Sequence, residues 1–155
     1  EEQNYKFCAV ELVVVAAEAL SYLQRMADAA GVKLLLLDLS NNIRWQADKG
    51  ALFTLLKNLL ENAIQHAPAG SAVAVDVFAG NISVRDHGPG VSEAQLPQLF
   101  NRFWRSEQWR DSGAGLGLTI CREIARAHGW ALSAHKMQPG LQFRLLFRAD
   151  DNAGV

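Results

Sequence analysis

Apolar residues recur at helical spacing near the start of the chain. The segment from Val10 to Ala30 is rich in Ala, Leu, Val, Glu and Gln and ends at Gly31. We therefore predict one long helix with a glycine stop. Its run of three valines, residues 13–15, is equally typical of a strand, but the length of the segment and its polar spacing after Glu18 favour the helix.

Two further segments show the same periodicity. Asp48 precedes a predicted helix that begins at Lys49 or Gly50 and ends near His66, with leucines three and four residues apart. A third helix is predicted from residue 113 to residue 128, before a glycine. Between them, Ser92 and Gln95 have the spacing of a capped helical turn, which the following proline interrupts or restarts.

Short apolar or alternating runs predict the strands. Residues 33–39 form an apolar run between a glycine and an asparagine pair, which indicates a strand. Residues 73–77 and 82–84 alternate around an Ala-Gly-Asn turn and predict a hairpin. Residues 132–136 and 141–148 flank Gln-Pro-Gly and predict a closing hairpin. The order helix, strand, helix, hairpin, loop, helix, hairpin differs from strict βαβ alternation.

This order predicts an α+β fold, a two-layer sandwich in which about three helices cover one face of a mixed, mostly antiparallel sheet. A chain of 155 residues suffices for one core. We expect a single domain over residues 7–148, a residual linker over residues 1–6 and a flexible tail over residues 149–155.

Composition excludes several classes of function. The chain has 15 basic and 16 acidic residues, so its net charge of −1 gives no reason to expect binding to nucleic acid. The longest apolar run, residues 12–17, is too short to span a membrane, and no basic-then-apolar leader opens the segment, so we expect no signal peptide.

Cys8 and Cys121 cannot supply a disulfide framework or four zinc ligands. Cys121 falls in an apolar pattern and is expected in the core, and a reducing, cytoplasmic compartment fits best.

Two asparagines are the first candidate site residues. Asn58 and Asn62 lie four residues apart, so a helix places their amides on one face, at the margin of its apolar stripe. An amide oxygen can bind Mg²⁺, which prefers oxygen ligands together with substrate phosphates. The alternative is two solvated surface amides, which this pair alone would favour.

Asp86 follows the strand that ends near Arg85 and opens the sequence Asp-His-Gly-Pro-Gly, which contains Gly88 and Gly90. An aspartate at a strand end can accept a hydrogen bond from an exocyclic amine, and glycines let the backbone approach a flat ligand. The alternative is a tight turn begun by an aspartate.

Gly113, Gly115 and Gly117 precede the third helix. Glycines at a helix start expose amide N–H groups to a phosphate, whereas the alternative is a flexible hinge. The i, i+2, i+4 spacing and the missing strand and Gly-Lys-Ser/Thr ending do not fit a dinucleotide fingerprint or a P-loop. The preceding Leu-Phe-Asn-Arg-Phe-Trp-Arg run contains Arg102 and Arg105, which suit phosphate, in a segment with the pattern of a mobile flap; the alternative is a solvated charged loop.

The succession of these four elements resembles the N box, first glycine box, F box and second glycine box of bacterial sensor histidine kinases. The resemblance extends over nearly the whole chain. It implies the catalytic, ATP-binding domain of that family, with the Bergerat fold of the GHKL superfamily, which DNA gyrase and the mismatch-repair ATPases share. ATP and Mg²⁺ are the implied cofactors, and two-component signal transduction is the implied process.

The resemblance also implies a role for each matching residue. Asn62 would bind Mg²⁺, with Asn58 supporting it or touching phosphate, and Asp86 would bind the adenine amino group. The remaining matches are the pocket wall at Gly88 and Gly90, the phosphate contacts Arg102 and Arg105, and the lid hinge and helix start formed by Gly113, Gly115, Leu116, Gly117 and Leu118. Gln65 and His66 stand where relatives often carry Lys and Tyr, so these two positions depart from the family pattern.

None of the four histidines has the context of the family's phosphoacceptor, so the chain is expected to bind ATP but to need a separate dimerisation domain as phosphoryl acceptor, and a response regulator downstream. We expect the isolated domain to be monomeric and to be the cytoplasmic part of an inner-membrane sensor. Glu61 adjoins Asn62 and could accept or orient the imidazole proton; a solvated surface carboxylate is the alternative.

Two rival functions come from the same superfamily. ATP-hydrolysing members carry a carboxylate one turn before the metal-binding asparagine, whereas this chain has Asn58, which cannot act as a base. The other rival is an anti-sigma-type serine kinase, or a regulatory module whose nucleotide controls partner binding. The four motifs are all present, which favours the histidine kinase.

Overall fold

The computed structural model describes residues 4–101 and 117–147. Helices and strands are interleaved there in an α+β arrangement. The elements are β1 (Cys8–Glu11), α1 (Leu12–Tyr22), α2 (Gln24–Ala30), β2 (Lys33–Leu39), β3 (Arg44–Ala47), α3 (Lys49–His66), β4 (Ala72–Phe78), β5 (Asn81–Arg85), α4 (Gly117–His128), β6 (Ala131–Lys136) and β7 (Leu141–Leu146). No helix among these is long and apolar enough to cross a bilayer.

The main sheet has five strands in the order β2-β4-β5-β7-β6. Strands β2 and β4 are parallel, with Lys33 opposite Ala72, and the other three pairings are antiparallel. The structure therefore confirms the predicted mixed, mostly antiparallel sheet and both predicted hairpins.

One face of the sheet and the apolar stripe of α3 form the core. Val73, Val75 and Val77 point from β4 to the buried face, as the alternating pattern predicts. Helix α3 buries a stripe of leucines at helical spacing, and α1 and α4 pack beside it. Each fully buried leucine contributes about 1.5–3 kcal/mol. Cys121 is also in this core, as predicted, and burial raises the pKa of its thiol.

The single helix predicted over residues 10–30 is wrong in two places. Residues 8–11 form β1, which pairs antiparallel with β3, so a tertiary pairing overrides the local helical pattern. The helix then begins at Leu12 and is interrupted at Leu23, which is buried and has φ −99° and ψ 5°. The valine run is helical, and α2 ends at Gly31 with φ 72°, as the glycine stop predicts.

Strand β3 was not predicted because its four residues are too short to show a clear alternation. Its Trp45 is completely buried, and the indole Nε1 donates to the Ala79 carbonyl oxygen at 3.1 Å. The Trp45 ring also packs against Trp130 and Phe147. The Trp45 side chain thus holds the two-stranded sheet of β1 and β3 against the rest of the core.

Side chains cap the start of α3 and the predicted turn at Ser92. The Asp48 side chain accepts from the Ala51 N–H at 2.9 Å at the start of α3. Ser92 and Gln95 exchange hydrogen bonds, 3.0 Å from the Ser92 N–H to the glutamine Oε1 and 3.3 Å from the Gln95 N–H to the serine Oγ. A 3₁₀ turn at Leu96–Gln98 follows. The predicted start of the third helix at Gly113 lies outside the described residues.

We predict that Asp48→Ala lowers the free energy of unfolding by about 1 kcal/mol, because an N-cap side chain satisfies a helix N–H that alanine cannot. Denaturant unfolding at neutral pH measures the loss. Asp48→Asn is the matched control, since its amide oxygen still accepts from Ala51, and its loss should be smaller. Equal losses for the two variants would contradict the capping role.

Candidate functional site

Three polar residues form a row along one face of α3. Asn58, Asn62 and His66 follow one another at four-residue spacing, so their side chains lie one turn apart. Asn58 and Asn62 are only 8% and 9% exposed. The alternative of two solvated surface amides is therefore wrong.

The start of α4 lies against the asparagine end of this row. The Asn58 Nδ2 donates to the Gly117 carbonyl oxygen at 3.4 Å. A Cβ placed on Gly117 would lie 3.8 Å from the Asn58 Cγ and 4.0 Å from the Asn62 Nδ2. Two motifs that are 55 residues apart in the chain, from Asn62 to Gly117, therefore meet at one place.

Asn62 has a buried side-chain oxygen without a hydrogen-bond partner in the described part of the chain. Its Nδ2 donates to the Asn58 carbonyl oxygen at 3.4 Å, but its Oδ1 has no hydrogen-bond partner among the residues that the structure describes. A buried polar atom without a partner costs about 1–3 kcal/mol. An amide oxygen is also a ligand that suits Mg²⁺, so the site fits a magnesium ion that contacts Asn62.

The side-chain oxygen of Asn58, unlike that of Asn62, has a hydrogen-bond donor. Its Oδ1 accepts from the Lys57 Nζ at 3.2 Å, and the same ammonium group lies 3.8 Å from the Glu61 Oε1. This places Glu61 beside the asparagine pair, as its position in the helix predicts, but in an ion pair. Asn62 is consequently the better candidate for a metal ligand.

Asp86 lies in the loop after β5 and is only 3% exposed. Its Oδ1 accepts from the Gly88 N–H at 2.7 Å, and its own N–H donates to the Leu141 carbonyl oxygen at 3.0 Å. Burial raises the pKa of the Asp86 carboxyl, although the Gly88 N–H and the nearby His66 favour the charged form. The Asp86–Gly88 bond is the turn contact that the sequence offered as an alternative, and the carboxylate is also buried at the site.

Gly88 brings this loop onto the end of α3. A Cβ on Gly88 would overlap the His66 carbonyl oxygen, so no side chain fits between the loop and the helix. His66 is fixed at the same point because its Nδ1 lies 2.7 Å from the Asn62 carbonyl oxygen, to which it donates. Burial lowers the pKa of His66, while this hydrogen bond and Asp86 oppose the shift.

The polar row therefore has Gly117 at one end and the Asp86 loop at the other. Eight residues of helix separate Asn58 from His66, a distance of about 12 Å along the axis. The structure brings together the asparagine pair, Asp86, Gly88 and the helix start at Gly117. These groups belong to three of the four sequence motifs.

The remaining motif is the Leu-Phe-Asn-Arg-Phe-Trp-Arg run, and its first residues contact α4. The Thr119 Oγ1 donates to the Phe100 carbonyl oxygen at 3.1 Å, and the Phe100 ring packs edge-on against Phe143, with centroids 6.0 Å apart. Leu118 is buried beside them. The other predicted site residues in this part of the chain, namely Arg102, Arg105, Gly113, Gly115 and Leu116, lie outside the described residues, and their roles stay predictions.

Gly140 was not predicted as part of this site. It has φ 106°, and a Cβ there would overlap the Asp86 carbonyl oxygen. Gly90, with φ 69°, packs on the other side, where its Cβ would lie 2.9 Å from the Gly140 oxygen. The Gln-Pro-Gly sequence indicates the hairpin turn, but only the pairing of β7 with β5 brings that turn to Asp86.

We predict that Gly88→Ala destabilises the protein by about 1–3 kcal/mol, as overpacking does, because the new methyl group overlaps the His66 carbonyl oxygen. Gly80→Ala is the matched control, since nothing lies within 4 Å of its Cβ position. Its change should stay within about 0.5 kcal/mol. Thermal and denaturant unfolding measure both variants, and a harmless Gly88→Ala would disprove the close contact.

Known proteins are similar to this chain in sequence and in fold. The chain is 45% identical to the sensor protein QseC of Escherichia coli K12 over 78 residues, which cover 50% of this chain and 17% of QseC. It is 34% identical over 139 residues to the signal transduction histidine-protein kinase BaeS of Escherichia coli K12, which covers 84% of this chain and 30% of BaeS. Each match therefore spans less than a third of the relative's length.

The structure of the mycobacterial sensor histidine kinase MprB matches 90% of this chain and 95% of its own, with a TM-score of 0.78 and 25% identity. This similarity confirms the predicted fold class. The family model described as histidine kinase-, DNA gyrase B-, and HSP90-like ATPase matches residues 47–151, which include the polar row, the Asp86 loop and α4. The chain belongs to this family of histidine kinase-, DNA gyrase B- and HSP90-like ATPases.

Proposed function

We propose that this domain binds ATP with Mg²⁺ and transfers the γ-phosphoryl group to a histidine on a separate dimerisation domain of a sensor kinase. The observation that carries the proposal is the polar row of α3, with the Asp86 loop at one end and the start of α4 at the other. The names of the relatives, a sensor protein and a histidine-protein kinase, support the same reaction.

The adenine end of the nucleotide lies at Asp86. The carboxylate accepts from the exocyclic amine, and its Oδ1 is already oriented by the Gly88 N–H. Gly88 and Gly90 form the adjacent wall, and the absence of side chains there lets the loop pack closely on the end of α3 and on Gly140. An ionised carboxylate selects a base with an amino donor over one that presents only a carbonyl acceptor there.

The phosphates lie at the other end, near the start of α4. Helix N-termini carry a partial positive charge and attract anions, so Gly117 and Leu118 are our proposed contacts for phosphate oxygens. Arg102, Arg105, Gly113, Gly115 and Leu116 are proposed to complete this end, as the sequence resemblance implies. Asn62 Oδ1 would hold Mg²⁺, with Asn58 beside it, and the ion would neutralise phosphate charge when bound.

The transfer breaks the bond between the γ-phosphorus and the bridging oxygen and forms a bond to an imidazole nitrogen of the acceptor, with ADP as the leaving group. The imidazole loses a proton in this step. Glu61 is our proposed acceptor for it, because its carboxylate lies on α3 next to Asn62 and is held by Lys57 at 3.8 Å. The domain otherwise contributes positioning and electrostatic stabilisation.

The parent protein supplies the remaining partners of this proposal. We assign the domain over residues 7–148 to the cytoplasmic side of an inner-membrane sensor, with a dimerisation domain before it and a response regulator as the next acceptor. The two cysteines are free thiols, which suits a reducing compartment.

We predict that Asp86→Asn weakens ATP binding about 10- to 100-fold, since a hydrogen bond to a charged group contributes about 1.5–3 kcal/mol. Stability should not fall. The raised pKa of Asp86 means that its ionisation opposes folding as the pH rises above the unfolded value, so removal of the charge leaves stability at pH 7.5 equal or higher.

Calorimetric titration with Mg-ATP and denaturant unfolding measure the two properties separately. Asp76→Asn, on β4 and outside the polar row, is the matched control and should change neither. Unchanged ATP affinity in a folded Asp86→Asn variant would exclude Asp86 as the adenine contact.

The transfer reaction is tested by mixing the chain with radiolabelled Mg-ATP and the dimerisation domain of the parent protein. We expect acid-labile label on that domain, lost in Asn62→Ala and retained in the control Asn81→Ala, which changes the first residue of β5. Steady phosphate release without label on the partner would identify an ATPase and overturn the kinase proposal.

A further inference from the structure

Residues 5–7, which precede β1, contact the rest of the domain at a point remote from the polar row. The Lys6 N–H donates to the Asp48 Oδ2 at 2.9 Å. The rings of Tyr5 and Phe7 pack edge-on against the imidazole of His128, with centroids 5.2 Å and 4.8 Å apart. Asp48 begins α3 and His128 ends α4, so residues 5–7 contact both helices.

His128 is held by hydrogen bonds that only a neutral imidazole can make. Its Nδ1 lies 2.8 Å from the Ile124 carbonyl oxygen, so this nitrogen carries the proton and donates. Its Nε2 is then unprotonated and accepts from the Asp48 backbone N–H at 3.1 Å. In a protonated imidazole, Nε2 is also a donor, and two donors would face each other.

We propose that Asp48 and His128 form a proton-sensitive latch, which holds residues 5–7 against α3 and α4 when His128 is neutral and releases them when it is protonated. Asp48 takes part in both contacts. Its carboxylate accepts from the Lys6 N–H, and its own backbone N–H donates to the His128 imidazole. The inference does not depend on the proposed nucleotide or reaction.

The surroundings of His128 determine the pH at which the latch opens. Partial burial lowers its pKa, while the Ile124 carbonyl and the Asp48 carboxylate oppose the shift. Asp48 is the charged group that acts on it, and the rings of Tyr5, Phe7 and Trp130 are uncharged. Because the pKa in the folded state is below its ordinary value, the latch is closed at neutral pH and opens as the pH falls below it.

Release would also displace the capping group of α3. An imidazolium attracts the Asp48 carboxylate, which at neutral pH is engaged by the N–H groups of Lys6 and Ala51. The polar row lies on the same helix, about three to five turns farther along. The latch thus couples the position of residues 5–7 to α3 and α4, the two helices that carry the candidate site.

Trypsin cleavage after Lys6 tests the latch, because cleavage requires residues around Lys6 to leave the domain surface. Rates at pH 7.5 and pH 5.5 are divided by those of a synthetic peptide of residues 1–11, which removes the pH dependence of the protease. We expect the normalised rate of the wild-type chain to rise several-fold at the lower pH. A rate that does not change with pH would overturn the proposal.

Two variants separate the latch from general loosening at low pH. His128→Phe keeps a ring for Tyr5 and Phe7 but removes the acceptor, so cleavage should be fast at both pH values. His135→Gln removes another histidine with a lowered pKa, on β6, and should behave as the wild type. A His128→Phe variant that retains the wild-type pH dependence would refute the role of His128.

A titration followed by NMR gives an answer that needs no variant. The ring signals of Tyr5 and Phe7 and the amide signal of Asp48 should move with the midpoint of the His128 imidazole. That midpoint should lie below the value of about 6.5 for a free histidine. Ring signals that stay unchanged while His128 titrates would disprove the latch.

Discussion

The close contact between Gly88 and the His66 carbonyl oxygen sets the position of the Asp86 loop relative to α3. No atom larger than hydrogen fits on Gly88 at that point, so loop and helix touch through their backbones. Gly140 closes the other side in the same manner, against the Asp86 carbonyl oxygen. The backbone around Asp86 is therefore packed against α3 through Gly88 and against Gly140, and the Asp86 Oδ1 accepts from the Gly88 N–H.

The polar groups of the site are unfavourable for the folded chain alone. Burial raises the pKa of Asp86, and the Asn62 Oδ1 is buried without a donor in the described part of the chain. Each arrangement costs stability that apolar residues would not, and natural proteins retain such groups where a ligand uses them. A base with an amino donor would compensate Asp86, and a divalent cation would compensate the Asn62 oxygen in the middle of the polar row.

The sequence predicts the local structure better than the long-range contacts. The glycine stop at Gly31, the capped turn at Ser92 and the two hairpins are correct because each depends on residues close in the chain. Strand β1 was missed because it forms only by pairing with β3, about 36 residues later. In the site, the asparagine spacing predicted the shared face, but the burial of that face follows from the packing of α4, and the part of Gly140 from the strand order.

Helix α3 is fixed at both ends, and this explains how the Asn62 Oδ1 can remain without a donor among the residues that the structure describes. At its first turn, Asp48 bonds Ala51, Lys6 and His128, and at its last turn the His66 carbonyl oxygen abuts Gly88. Leucines fix the opposite face in the core, so the helix cannot rotate to give the Asn62 oxygen a donor. A displacement at the first turn would therefore act on a rigid helix whose last turn contacts the Asp86 loop.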